Sequence, residues 1–155
     1  MNITVIQKSH LNEIHALIRD SITLLCTIDH GNDQENLDFW LANRSPESLA
    51  KVIDASDSKG FVCMDETSIV GVAHIKRTGE LTLCYVHPEH PGKGIGSRLL
   101  TMIEGQARHW GIKEITLIST ATAKPFYEKH EYFEYDEPVT YLRMPGYLMK
   151  KVLSL

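Results

Sequence analysis

Cysteine is scarce in this chain. There are three, Cys26, Cys63 and Cys84, an odd number, far apart and without a C-x-x-C pair. That excludes a disulfide framework and fits reduced thiols. Two of them sit in apolar runs, where a buried thiol acts as a small hydrophobe. No apolar run approaches the roughly 20 residues of a membrane span. The N-terminus, MNITVIQKSH, lacks the basic start and long apolar stretch of a secretion signal. A cytoplasmic location and no membrane partner are therefore expected. Basic charge is not in excess either: 16 Lys+Arg stand against 20 Asp+Glu, a net −4. A broad surface for nucleic acid is disfavoured, although a local basic patch for a small phosphate ligand is compatible with this balance. Repeats, low-complexity tracts and linkers are absent, and the longest polar stretch, Asp54 to Gly60, is too short to separate domains.

What is present is the composition of a globule: 155 residues, 43% hydrophobic and 23% charged. One domain over 1–155 is expected, large enough to hold a core without disulfide or metal. A strand fits Ile3 to Gln7. Ser9 caps a helix whose apolar positions, Leu11 to Leu25, recur at helical spacing. Asp29 to Asn36 is polar and acidic, followed by a short helix over Leu37 to Ala42. Ser45-Pro46-Glu47 is a helix start with cap, N1 proline and first-turn acid. Phe61 to Met64, Ile69 to Lys76 and Leu81 to Val86 read as an antiparallel meander with turns at Asp65–Ser68 and Arg77–Gly79. A long amphipathic helix from Ile95, with Arg98, Thr101, Glu104 and Arg108 on its polar face, ends at Gly111. A buried strand, Ile115 to Ile118, comes next, then a short helix, Thr122 to Lys129. Two late strands lie near Tyr132–Asp136 and Tyr147–Leu153. Strand, crossover helix and strand imply a parallel pair. The expected fold class is α/β (α+β): a mixed, mostly antiparallel sheet of six or seven strands with helices on both faces.

The most informative segment is Val86-His87-Pro88-Glu89-His90-Pro91-Gly92-Lys93-Gly94-Ile95-Gly96-Ser97, between a strand and a helix N-terminus. Glycines there let backbone amides approach a ligand, and the helix dipole favours an anion. Lys93 and Arg98 add positive charge. The ligand this physics favours is a phosphate or pyrophosphate; the plainer reading is a helix start that uses glycine only to turn. The spacing fits neither G-x-x-x-x-G-K-[ST] nor G-x-G-x-x-G, so a P-loop and a dinucleotide fingerprint are excluded. His87 and His90 lack carboxylate or thiolate partners in the pattern, and no metal is assigned.

Pro91-Gly92-Lys93-Gly94-Ile95-Gly96 resembles the acetyl-CoA site of the GNAT superfamily of N-acetyltransferases, R/Q-x-x-G-x-G/A, with Pro91 in place of Gln or Arg. About 30 residues on, Ala123-Lys124-Pro125-Phe126-Tyr127-Glu128-Lys129-His130-Glu131-Tyr132 resembles the family's second signature, with Glu131 where glycine is usual. A glutamate is awkward there if the position needs positive φ. The element order extends the resemblance over the whole chain. It implies that the central parallel strands splay and that pantetheine lies between them, on the main chains of Cys84 and Val86. Pyrophosphate would sit on the amides of Gly92, Lys93, Gly94, Gly96 and Ser97, with Thr120 as a further cofactor contact.

The implied activity is transfer of acetyl from acetyl-CoA, the co-substrate, to a primary amine by direct attack in a ternary complex. The alternative is a non-catalytic acyl-CoA-binding regulatory or interaction module on the same fold. Tyr127 resembles the family's general acid, and aromatic packing is its plainer role. Glu80, in Glu80-Leu81-Thr82-Leu83-Cys84, resembles the base of the histone-acetyltransferase branch; His74, His87 or an ordered water chain are the other candidates, and a solvated hairpin glutamate the plainer reading. The acidic run Asp29, Asp33, Glu35, Asp38, near Trp40, either lines an acceptor entrance or is a solvated loop. The acceptor amine stays open, and a homodimer, common in the family, is left open with it.

Overall fold

The computed structural model describes residues 1–90 and 93–154. Pro91 and Gly92, two positions of the glycine loop singled out above, lie outside the described residues. Two sheets share the work. The first has the order β1-β2-β3-β4, all antiparallel, from β1 (Asn2–Val5), β2 (Ser58–Asp65), β3 (Ser68–Lys76) and β4 (Leu81–Val86). The second is built on the long strand β8 (Met144–Val152). It pairs with β5 (Glu114–Ser119), β6 (Phe133–Glu134) and β7 (Val139–Tyr141), again antiparallel.

Alternation on the first sheet buries both of its faces. Phe61, Cys63, Val70, Ala73 and Ile75 pack against α5 (Ile95–His109) through Ile95, Leu99, Leu100, Ile103 and Ala107. Val62, Ile69, Val72 and Leu83 face the other way, toward α1 (Leu11–Leu25) and α4 (Pro46–Ile53), with Trp40 of α3 (Gln34–Ala42) in the same cluster. Both faces being covered explains why these strands read as near-continuous apolar runs. Glu104, expected on the polar side of α5, is buried; Lys151 Nζ at 3.0 Å and the Tyr132 hydroxyl at 2.9 Å satisfy its carboxylate.

The sheet differs from the expectation in two ways. Among the described residues there are eight strands in two sheets, not six or seven in one; the addition is β7, Val139-Thr140-Tyr141, whose three residues are too short a run to read as a strand. The parallel pair is reduced to a single bridge, Glu80 with Thr116. The Thr116 N–H donates to the Gly79 carbonyl at 3.0 Å, and the ladder stops there. A bulge at His74/Ile75 adds twist to β4 at this level, turning it away from β5. Gly79 is required at the junction: its φ is +98°, and a Cβ would lie 2.7 Å from the Glu114 carbonyl oxygen. The acidic stretch also folds more than expected, into α2 (Thr27–His30) and an α3 that starts at Gln34 on an Asp33 cap.

The short helix α6 (Lys124–Lys129) ends in a Schellman motif. The Tyr132 N–H reaches the Tyr127 carbonyl and the Glu131 N–H the Glu128 carbonyl. Tyr127 and Tyr132 supply its apolar contact, ring centroids 5.7 Å apart. Glu131 takes the left-handed position at φ +71°, so the conformation usually given to glycine is held by a side chain at some cost. Glu131→Gly is expected to raise the unfolding free energy by about 0.5–1 kcal/mol, the strain relieved exceeding glycine's extra chain entropy. A thermal melt should move up by about 1–4 °C; an unchanged or lower midpoint would show that the turn is not strained.

Candidate functional site

β4 pairs with β3 along one edge. Along the other, beyond the Glu80–Thr116 bridge, no strand of the described residues runs beside it. The direction of its peptide groups follows from the ladder. The His87 N–H donates to the Val70 carbonyl at 2.8 Å, and antiparallel peptide groups alternate in direction. Tyr85 therefore faces β3 as His87 does, whereas the main chains of Cys84 and Val86 face the open edge. On the far side Ile118 of β5 turns its peptide toward the same gap, two residues beyond the bridged Thr116. The gap belongs to a cleft of about 440 Å³ lined from β4, β5, α6 and the α3–α4 region.

α5 begins at one end of this gap. Gly94 is its N-cap, with φ +71° and no neighbour within 4 Å of where a Cβ would be. Lys93 is exposed beside it. Gly96 is needed for another reason: its Cβ would lie 3.2 Å from the Phe126 ring and 3.6 Å from Val86. Glycine there lets α5, α6 and the end of β4 converge. The Ser97 hydroxyl is engaged with His130 Nε2 at 2.9 Å. Thr120 lines the cleft, but its hydroxyl accepts from the Ala123 N–H at 3.0 Å, holding the turn into α6.

Tyr127 projects from α6 into the cleft, 6% exposed. Burial, then the neighbouring Cys84 thiol, holds its hydroxyl well above the usual phenol range, so it is a protonated donor at neutral pH. The same burial pushes the Cys84 thiol up to about 11, with the Tyr127 hydroxyl pulling against it. A thiol so high is no nucleophile at neutral pH. This side-chain pairing was not expected; the sequence singled out Cys84 only for its main chain.

Glu80 also lines the cleft, at its bridged end, with its side chain half-exposed and 3.7 Å from Lys76 Nζ. His74 is different: it is 1% exposed, with Nδ1 2.6 Å from the Thr82 hydroxyl and Nε2 buried without a partner. Burial, with Lys76 nearby, lowers its pKa to about 4. His87 accepts the Glu89 N–H through Nδ1. The acidic run forms no common rim. Asp33 caps α3, Asp38 holds Gln34, Glu35 lies near Arg143, and Trp40 is buried. Only Asp29 reaches the cleft, where it accepts from Ala121 and Thr122 and pins the β5–α6 loop. The sequence reading missed Arg44, Tyr85 and Tyr141, which line the cleft together. No motif marks them, because they come from three distant segments. Among the described residues no helix is long and apolar enough to cross a membrane, and no cluster of three metal-type ligands occurs.

The family model described as an acetyltransferase (GNAT) domain matches residues 27–153. The chain belongs to this GNAT acetyltransferase family. No curated protein matches. Among solved structures, a GCN5-related N-acetyltransferase from Rhodopseudomonas palustris is similar at TM-score 0.87 and 21% identity, over 98% of this chain and 95% of that one. A PaiA N-acetyltransferase from Thermoplasma acidophilum, solved with coenzyme A, gives 0.83 and 22%, over 99% and 100%. The ribosomal-protein-S18-alanine N-acetyltransferase from Escherichia coli gives 0.72 and 16%, over 99% and 94%. At these identities the likeness is one of fold, and it covers the GNAT chains nearly end to end.

His74 makes the pH dependence of stability predictable. Its folded pKa is depressed to about 4 from an ordinary 6.5, so the unfolded chain takes up the proton first. Stability should be full above pH 6.5 and fall as pH drops toward 4, this residue alone contributing up to about 3 kcal/mol of the loss. Urea unfolding at several pH values should show a shallower decline for His74→Gln than for the parent. Equal slopes would mean that His74 titrates normally.

Proposed function

We propose that this protein transfers an acetyl group from acetyl-CoA to a primary amine, by direct attack while both substrates are bound. One observation carries the reading: the open edge of β4 at Cys84 and Val86 runs between the glycine-capped start of α5 and the buried Tyr127 hydroxyl. An extended, amide-bearing arm can pair with that edge as an added strand does. Its pyrophosphate would then meet the amides of Lys93, Gly94, Gly96 and Ser97, with Gly92 beside them in sequence. Family membership, and a CoA complex among the structures of this fold, support the assignment. Thr120, in the cleft wall, would be a further cofactor contact: its hydroxyl accepts from the Ala123 N–H and keeps its own O–H to donate.

Acetyl-CoA supplies the activated thioester; the residues supply its alignment and the proton traffic. The acceptor must shed a proton first, because an ammonium near pKa 10.4 has no lone pair. Glu80, half-exposed at the bridged end of the cleft, takes that proton directly or through water and passes it to solvent. His74 is unsuited, being buried and titrating near 4. The β4 main chain aligns the thioester carbonyl in the gap and its N–H groups favour the charge that grows on oxygen. The amine nitrogen forms the new C–N bond as the C–S bond breaks. Tyr127 donates its proton to the departing sulfur and regains one from the attacking nitrogen through solvent. The balance is ammonium plus thioester giving amide, thiol and one proton.

Tyr127→Phe keeps the ring that packs on Phe126 and Tyr132 and removes one oxygen. Acetyl-CoA binding should change little, one neutral hydrogen bond contributing about 0.5–1.5 kcal/mol. Turnover of amines, read as CoA release, should fall by roughly 10²–10⁴-fold. Glu80→Gln should lower turnover by about 10²-fold near neutral pH and recover at high pH, where free amine is abundant. Parent-like turnover of Tyr127→Phe with chemistry limiting would make Tyr127 a packing residue. Binding of acetyl-CoA without turnover of any amine by the parent would instead favour the non-catalytic CoA-binding module.

A further inference from the structure

On the sheet face opposite α5, where Tyr85 packs with the α1–α4 cluster, the cleft wall carries a cation with no carboxylate paired to it among the described residues. Arg44 follows α3 and comes into the cleft beside Tyr85 of β4 and Tyr141 of β7. Its Nε donates to the Tyr85 hydroxyl at 3.4 Å and one Nη to the Asn43 carbonyl at 3.2 Å. Among the described residues no carboxylate pairs with it. A guanidinium carries five N–H donors in a planar fork, so several remain for a ligand. The two carboxylates that line the same cleft are committed elsewhere. Asp29 holds the amides of Ala121 and Thr122, and Glu80 sits by Lys76. Burial works against the Arg44 charge, while the Tyr85 and Tyr141 hydroxyls favour it.

The strand end that brings Tyr141 here is itself strained. Leu142 and Arg143 form the two-residue β7–β8 turn with φ of +50° and +67°, values that Asn and Gly usually take. Such strain persists where the surrounding structure fixes it, and here it sets Tyr141 and Met144 at the cleft wall. Trp40, Leu49, Val52 and Met144 make the adjoining wall apolar.

We infer that Arg44, with Tyr85 and Tyr141, recognises a carboxylate on the acceptor, so that the acceptor is an amine of the amino-acid type with an apolar body rather than a polyamine. The inference deepens the proposed acetyl transfer and rests on it for the word acceptor, although the anion site itself does not. A fork-shaped donor set matches a carboxylate in two parallel hydrogen bonds, and a partly dry site strengthens them. A polycationic amine would meet Arg44 as a like charge.

The test compares N-acetyl-L-leucine with N-acetyl-L-leucinamide, which differ only in the carboxylate. Calorimetric titrations use the full chain with and without CoA, for the parent, Arg44→Lys and Arg44→Gln. The parent should bind the carboxylate about 10–100-fold more tightly than the amide. Arg44→Gln should bind the two alike, with Arg44→Lys in between, and with CoA affinity and melting midpoint close to the parent's. A purely structural arginine would weaken both ligands together and leave their ratio unchanged, which would overturn the inference. So would equal binding of the two by the parent, or binding of neither while CoA binds. Failure to bind CoA with the carboxylate preference intact would leave the anion site standing and remove the acetyl-transfer reading.

Discussion

Backbone N–H and C=O groups need partners, and among the described residues no strand supplies them along the outer edge of β4 beyond its bridge. β4 leaves β5 after one bridge at Glu80 and Thr116, and the main chains of Cys84 and Val86 then face a gap. Most other features of the site follow from this divergence. Gly79 makes the close junction at its base, and the bulge at His74/Ile75 turns the strand away. The two sheets are held at a fixed separation by the core under α5, where Leu81, Ile115, Leu117 and Met149 pack together.

Around the gap each element contributes one kind of chemistry. The start of α5 contributes oriented amides and a glycine cap, and α6 contributes the buried Tyr127 hydroxyl with Cys84 against it. The α3–α4 corner and the β7–β8 turn contribute Arg44 and Tyr141. The cleft thus joins the glycine-capped start of α5 and a buried proton donor to an arginine that, among the described residues, has no carboxylate partner. On the proposed reading, an acetyl donor with a phosphate-bearing arm and an acceptor with a carboxylate would meet near Tyr127. The strained positions, Glu131 beside α6 and Leu142–Arg143 beside Tyr141, lie next to these elements.

Local chemistry made much of this legible in the sequence. The run Leu81 to Val86 is β4 as read, the Ser45-Pro46 start of α4 is a cap with its proline at N1, and Gly94 caps α5. These depend on a few adjacent residues, so their signals survive without tertiary context. The resemblance singled out Tyr127, whose side chain lines the cleft, and raised a doubt over Glu131, which does take positive φ. Long-range features were not legible. The separation into two sheets is set by twist and by contacts between Gly79 and Glu114, 35 positions apart in sequence. β7 is only three residues long, too short for its alternation to announce it. Arg44, Tyr85 and Tyr141 converge only after folding. Glu104 looked like a surface acid because periodicity cannot foresee that Lys151 and Tyr132 will arrive to pair it.

The central claim is that the open edge of β4 is where acetyl-CoA lies. Residue-resolved amide hydrogen exchange, followed by NMR with and without saturating acetyl-CoA, tests it most directly. The amides of Cys84 and Val86, which point into the gap, should exchange at least about 10-fold more slowly in the complex, together with those of Lys93 to Ser97. Amides already bonded to β3, such as His87, should change far less. Acetyl-CoA that binds while Cys84 and Val86 exchange as before, with protection elsewhere, would contradict the account.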